Sequence, residues 1–267
     1  QAVAVTLCSA LACVARRCGA PAWVGAPALH GRHCLRLRLS RASSLASPGG
    51  VGKFQEGQDL DERFDVLADP PGLGLVDPAL VRRTGETMRR QDVHRDGVWH
   101  RSIHLWIVTT GGSGAGAPGP QILLQKRAAT KDTNPGMWDV SVAGHVDAGD
   151  EPLGTAVREA KEELGIAVAP GGLQYLYTVA AEAKGSTLRH GPYVCREIQD
   201  VLLYEVSSDL DELRFSTGEV EALRAEPLDK LLQRFSDGDA AYVPRSKEYV
   251  AALSSALRQR YAIGCEE

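Results

Sequence analysis

Three glutamates near the middle of the chain, Glu159, Glu162 and Glu163, stand at i, i+3 and i+4. On a helix that spacing gathers their carboxylates on one face, where like charges repel by roughly a few tenths of a kcal/mol per pair. Arg158 offsets part of this by reaching Glu162, four residues on. One account of such a run is a solvated acidic face. The other is a carboxylate set for a hard divalent cation such as Mg²⁺, which takes oxygen ligands. A cation held there would acidify a bound water and polarise a substrate oxygen beside it.

Carboxylates act together only if a rigid element presents them. Leu153, Val157, Ala160 and Leu164 fall four, three and four residues apart, an apolar stripe that predicts a helix over Glu151–Leu164 packed on a sheet. Asp150 is placed to cap it, Pro152 is tolerated in its first turn, and Gly165 ends it. A short strand over residues 138–146, ending at Gly144, leads into that helix. Ile103–Val108 and Gln121–Lys126 read as a hairpin whose enlarged tip is the Gly-rich stretch 111–119. A short strand is expected at Phe64–Leu67, before a Pro/Gly loop through Gly72. Further strands are expected at 173–180, 197–206 and 219–224, and helices at Pro227–Phe235 and Ser246–Arg260. This order implies an α+β fold, a mixed β-sheet sandwiched between helices.

From Gly144 to Ile166 the chain reads Gly-His-Val-Asp-Ala-Gly-Asp-Glu-Pro-Leu-Gly-Thr-Ala-Val-Arg-Glu-Ala-Lys-Glu-Glu-Leu-Gly-Ile. This resembles the Nudix box, Gly-x5-Glu-x7-Arg-Glu-U-x-Glu-Glu-x-Gly-U, with U a bulky aliphatic. Gly144, Arg158, Glu159, Glu162, Glu163, Gly165 and Ile166 match at the right spacing, while Asp150 replaces the first Glu and Ala160 is small for its slot. The resemblance implies the Nudix fold and a hydrolase that uses Mg²⁺ or Mn²⁺ to cleave a nucleoside or other organic diphosphate. It also implies roles. Glu162 and Glu163 bind metal with help from the Gly144 carbonyl. Glu159 binds metal or deprotonates the attacking water. Arg158 holds the glutamates in place through an ion pair to the acid at 150, a contact the shorter Asp150 would lengthen.

Further stretches, His94 to His104, Leu124-Gln125-Lys126-Arg127 and Pro135-Gly136-Met137-Trp138-Asp139, resemble the Nudix subgroup related to isopentenyl-diphosphate isomerase, over roughly residues 60–250. That raises isomerisation as an alternative. The isomerases place an essential Cys just before the Gly-His pair, and here that position is Ala143, which can neither give nor take a proton. The comparison also implies metal or substrate contact for His104 and His145, against the ordinary fate of a histidine as a hydrogen-bonded or exposed residue; His94 and His100 have no secure counterpart. Lys126, Arg127 and Lys131 flank a strand end and are candidate diphosphate contacts or ordinary surface cations. Trp99, Trp106 and Trp138 suit a base or isoprenyl pocket, or the core. Glu219 and Glu221 are either an added metal ligand or a solvent-facing strand edge. A diphosphate-binding module without turnover is a further alternative, although it has little need of a repelling carboxylate trio.

Charge is distributed unevenly. Of 30 Lys and Arg, seven lie in residues 1–53, which hold no acid, since the first of the 34 acidic residues is Glu56. The remaining 23 cations against 34 acids give residues 54–267 a formal charge of about −11, which argues against nucleic acid as the partner. The Arg- and Ser-containing, acid-free leader has the composition of an organellar transit peptide, chloroplast rather than mitochondrion; a disordered tail and a secretory signal, from Ser9-Ala10-Leu11-Ala12, are the other options. No run of eighteen uncharged apolar residues predicts a membrane span. Four of six cysteines fall in the leader, and Cys195 and Cys265 are neither in a CxxC pair nor a disulfide framework. The expected layout is a transit peptide over 1–53, an extension with a short strand over 54–100, and a Nudix domain over 101–263. Its expected partner is a small-molecule diphosphate, and oligomeric state is not legible.

Overall fold

A computed structural model describes residues 61–110, 119–131, 133–187, 191–206 and 218–263. The leader and its cysteines, residues 54–60, most of the Gly-rich tip and Cys265 lie outside the described residues.

The core is a mixed sheet built around β4 (Trp99–Thr109). Alternate side chains of an extended strand point to opposite faces, and β4 is apolar enough to be buried on both. Ile103, Leu105 and Ile107 face one helix layer, while Trp106 and Val108 face the other. β9 (Gly191–Val206) runs parallel to β4 from Trp99↔Arg196 to Thr109↔Val206. β8 (Gln174–Thr187) pairs antiparallel with β9, and β2 (Gly74–Val76) forms the edge beyond it. On the other side, β5 (Gln121–Arg127) meets β4 only at Val108↔Ile122 and Thr109↔Gln121, then diverges to pair with β10 (Val220–Pro227). Two short strands fill the gap: β6 (Trp138–Asp139) on β5 and β7 (Val142–His145) on β4.

The single strand expected over 138–146 is therefore two, and the cause is local. Asp139 Oδ1 accepts the Val140 N–H, and the Ser141 hydroxyl donates to the Leu123 carbonyl while accepting the Ile107 N–H. These contacts carry the chain across from β5 to β4.

Helix α2 (Pro152–Leu164) covers one face, where Ala156, Ala160 and Leu164 join Ile103, Leu105, Val142 and Val146. Helices α3 (Leu228–Asp237) and α4 (Lys247–Tyr261) cover the other, with Leu231, Tyr249, Leu253 and Leu257 against Trp106 and Val201. The sandwich of sheet between helices is thus observed. Three details of α2 differ from expectation. Its cap position is Glu151, without a side-chain capping bond, so Asp150 is not the cap. Leu153 is 48% exposed, outside the apolar stripe. The buried face includes Thr155 and Glu163 in addition to the alanines.

Three elements had no signal in the expected order: β2, β3 (Arg83–Arg89) and α1 (Arg90–Asp96). β1 (Arg63–Leu67) pairs with β3 as a separate two-stranded sheet. That hairpin docks on the turn between β7 and α2 through the Phe64↔Asp147 bridge, Ala148 N–H to Arg63 O and Gly149 N–H to Asp65 Oδ2. Among the described residues, no helix is long and apolar enough to cross a membrane.

Candidate active site and metal centre

The turn from β7 into α2 brings Gly144 against Glu159. A Cβ at position 144 would stand 2.5 Å from the Glu159 side chain, so only glycine admits the carboxylate. Arg158 pairs with Glu159 at 2.9 Å, with Asp147 at 3.0 Å and with Glu162 at 3.4 Å. Its anchoring acid outside the helix is thus Asp147 and not Asp150, whose backbone carbonyl instead accepts from Arg83.

The three glutamates do not share one solvated face. Glu162 is outward, its side chain 58% exposed. Glu163 is buried, and its Oε2 accepts from Gln125 Nε2 at 3.1 Å and the Ala143 N–H at 3.3 Å. Burial, reinforced by Glu159, pushes the Glu163 carboxyl up to about 8. Burial also raises Glu159 to about 7; Arg158 opposes this, and Glu162, Glu219 and Glu62 add to it. Both carboxylates point inward, where a divalent cation with oxygen ligands would add to the positive charge of Arg158 at Glu159 and of Lys131 near Glu163.

A second cluster lies on the opposite face of β4. His94 of α1, His100 of β4, His145 of β7 and Glu197 of β9 each offer one ligand atom, all within 4.8 Å of one another. Phe64 of β1 stacks on both His145 and His100, with ring centroids 4.7 and 5.3 Å away. His145 Nε2 lies 3.3 Å and His100 Nε2 3.9 Å from Glu197 Oε1, yet both nitrogens are buried without a hydrogen-bond partner. Burial lowers His100 to about 4 and His145 well below the usual histidine range, leaving both as the neutral imidazoles that ligate metals. Three imidazoles and a carboxylate fit a borderline transition-metal ion of the Mn²⁺, Fe²⁺ or Zn²⁺ class better than Mg²⁺.

The other candidates separate. His145 joins this cluster, whereas His104 is buried elsewhere, its Nδ1 at 3.1 Å from Tyr249 Oη and its Nε2 facing Arg245. Arg127 is held inside by Asp139 and the Thr133 carbonyl, so it braces the fold rather than standing free for phosphate. Lys126 pairs with Glu221 at 2.7 Å and Lys131 with Glu219 at 2.8 Å, two cations that a diphosphate would have to draw away from carboxylates. Trp99 and Trp106 are core residues, and Trp138 lies under the Arg224 guanidinium at 4.0 Å.

Sequence reasoning missed His94, His100 and Glu197 as a group. The spacing between positions 94, 100, 145 and 197 follows no helical or strand period, so only the parallel pairing of β4 with β9 and the docking of α1 reveal it. The density of histidine between 94 and 104 was the available signal.

The NUDIX domain family matches residues 100–246, more than half of the chain. The chain belongs to the Nudix family. It is similar to Nudix hydrolase 3 of Arabidopsis thaliana, 33% identical over 212 residues, 77% of this chain but 24% of that protein. It therefore spans about a quarter of that relative's length. It is also similar to an isopentenyl-diphosphate Delta-isomerase of Jannaschia sp., 27% identical over 169 residues, 62% of this chain and 86% of that one. Among solved structures, a Deinococcus radiodurans protein aligns with a TM-score of 0.44 at 18% identity, covering 75% of this chain and 99% of that chain.

Proposed function

We propose that this Nudix domain is a divalent-cation-dependent hydrolase that cleaves the P–O–P bond of a small organic diphosphate, an isoprenyl diphosphate or a nucleoside diphosphate derivative. The observation that carries it is Glu159, a mostly buried carboxylate lodged against Gly144 and paired with Arg158. A carboxylate held in that place can take the proton of an attacking water and release it afterwards. Arg158 ties Glu159 to Asp147 and Glu162, which fixes the carboxylate before substrate arrives. Lys126, at the end of β5, and Lys131, in the turn that follows it, would supply the positive charge for the diphosphate once drawn from Glu221 and Glu219. Bound at the glutamates, Mg²⁺ or Mn²⁺ would neutralise the phosphate oxygens and acidify the water. Residues 1–53, free of acids, support a plastid address for this activity.

A second reading, an isomerase-like enzyme, is favoured by the convergence of His94, His100, His145 and Glu197. Against it, Ala143 sits beside Glu163 with no side-chain proton to exchange. Incubating a panel of organic diphosphates with Mg²⁺ in ¹⁸O-water distinguishes the two. Hydrolysis puts the label in a product phosphate. Conversion of isopentenyl diphosphate to its allylic isomer, with no labelled phosphate from any compound, would overturn the proposal.

A further inference from the structure

Glu197 is held from several sides. Its Oε2 accepts from Ser102 Oγ and from Gln199 Nε2, each at 2.9 Å. Its Oε1 is the atom nearest both buried imidazoles, and there one further donor reaches it: Cys195, whose Sγ lies 3.0 Å away. Residues two apart on a strand point to the same face, so β9 presents the thiol beside the carboxylate. The intervening Arg196 turns away to Glu182 and the Gly97 carbonyl. An independent feature marks the place as a ligand site: His100 Nε2, on a fully buried ring, has no hydrogen-bond partner and faces Glu197 Oε1.

We infer that Cys195 is a positioning residue of the imidazole–carboxylate cluster, its S–H holding Glu197 Oε1 toward His100 and His145 so that the cluster is set for a transition-metal cation. This rests on the reading of that cluster as a cation site. Free cysteines are more often small apolar fillers, and the two roles differ in what a substitution does. A filler can be cut back to alanine without effect on a bound ion. Loss of a group that orients a metal ligand typically weakens metal binding by about 10- to 100-fold. The thiol is a weak donor, so serine, which keeps a donor at nearly the same place, restores the function.

The experiment is a Co²⁺ titration of the full chain, followed by the visible d–d absorption, for wild type, C195A, C195S and H100A. The expected result, with excess Mg²⁺ present to fill the glutamates of α2, is a Co²⁺ ion bound at the imidazole–carboxylate cluster of wild type, with no intense near-ultraviolet sulfur-to-cobalt band that depends on Cys195. C195A then binds about 10- to 100-fold more weakly, C195S lies within a few-fold of wild type, and H100A loses the spectrum. Wild-type affinity in C195A, or a C195S as weak as C195A, overturns the role of the thiol while the cluster stands. A charge-transfer band that disappears in C195A overturns it too, because the sulfur would then be a ligand. Absence of bound cobalt in wild type, or an unchanged spectrum in H100A, removes the cation site and the thiol's role with it.

Discussion

At the residue scale the account turns on how close Glu159 stands to the backbone. With a Cβ at position 144 only 2.5 Å from its side chain, Gly144→Ala must push the carboxylate out of place. Misplacement of a reacting group by about 1 Å can cost on the order of 100-fold, so turnover of a hydrolysed diphosphate should fall by about that factor. Circular dichroism and thermal unfolding should stay near wild type, since the backbone at 144 is not left-handed. An unchanged rate would show that Glu159 need not sit there. The box was legible because its residues lie within one stretch of chain and its spacing is that of a helix. What lay beyond the sequence was orientation. Glu163 turns inward to Gln125 and Ala143 while Glu162 stays outside, and Arg158 chooses Asp147 over Asp150. Those choices follow from where β5 and β7 end.

At the element scale, the β1–β3 hairpin links the two clusters, since its strand β1 touches the β7–α2 turn and also covers two imidazoles. Phe64 is fully buried between them. Phe64→Ala should cost about 3–5 kcal/mol of stability, as truncations of buried aromatic residues do, read as a lower denaturant midpoint. Because the ring packs on His100 and His145, the same variant should bind Co²⁺ more weakly. A stability loss below about 1 kcal/mol would mean the hairpin merely rests on the domain. β1 was legible from its apolar residues, but β3 was not. Its sequence Arg-Thr-Gly-Glu-Thr-Met-Arg is largely exposed and lacks the alternation that a half-buried strand shows. Helix α1 is only seven residues long, too short for a periodic pattern, and it ends at Gly97 in the left-handed region at φ 66°.

Across the whole molecule, buried titratable groups set opposite pH limits on the metal-free protein. The folded-state carboxyl of Glu163 is raised from 4.5 to about 8, so its contribution to stability is full below 4.5 and lost as pH rises through about 8. His100 is lowered from 6.5 to about 4, so its contribution is present above 6.5 and lost as pH falls through about 4. Glu163→Gln should therefore raise the melting temperature in chelator at pH 9, by about 2–4 °C for each kcal/mol recovered, and the gain should vanish near pH 4. A variant no more stable than wild type at pH 9 would mean Glu163 is not buried as a charge. The sandwich itself was legible from the order of apolar runs, because β4 must be covered on both faces. That two clusters of candidate ligands occupy opposite faces of that one strand was not. It depends on β7 and β9 flanking β4, a long-range pairing with no trace in local periodicity. The central claim, that the glutamates of α2 carry out hydrolysis, is tested most directly by phosphate release with Mg²⁺ from wild type and Glu159→Gln assayed side by side on the same organic diphosphates. The expected result is release by wild type that falls at least about 100-fold in the variant, the scale of loss for a general base; equal rates in the two proteins would contradict it.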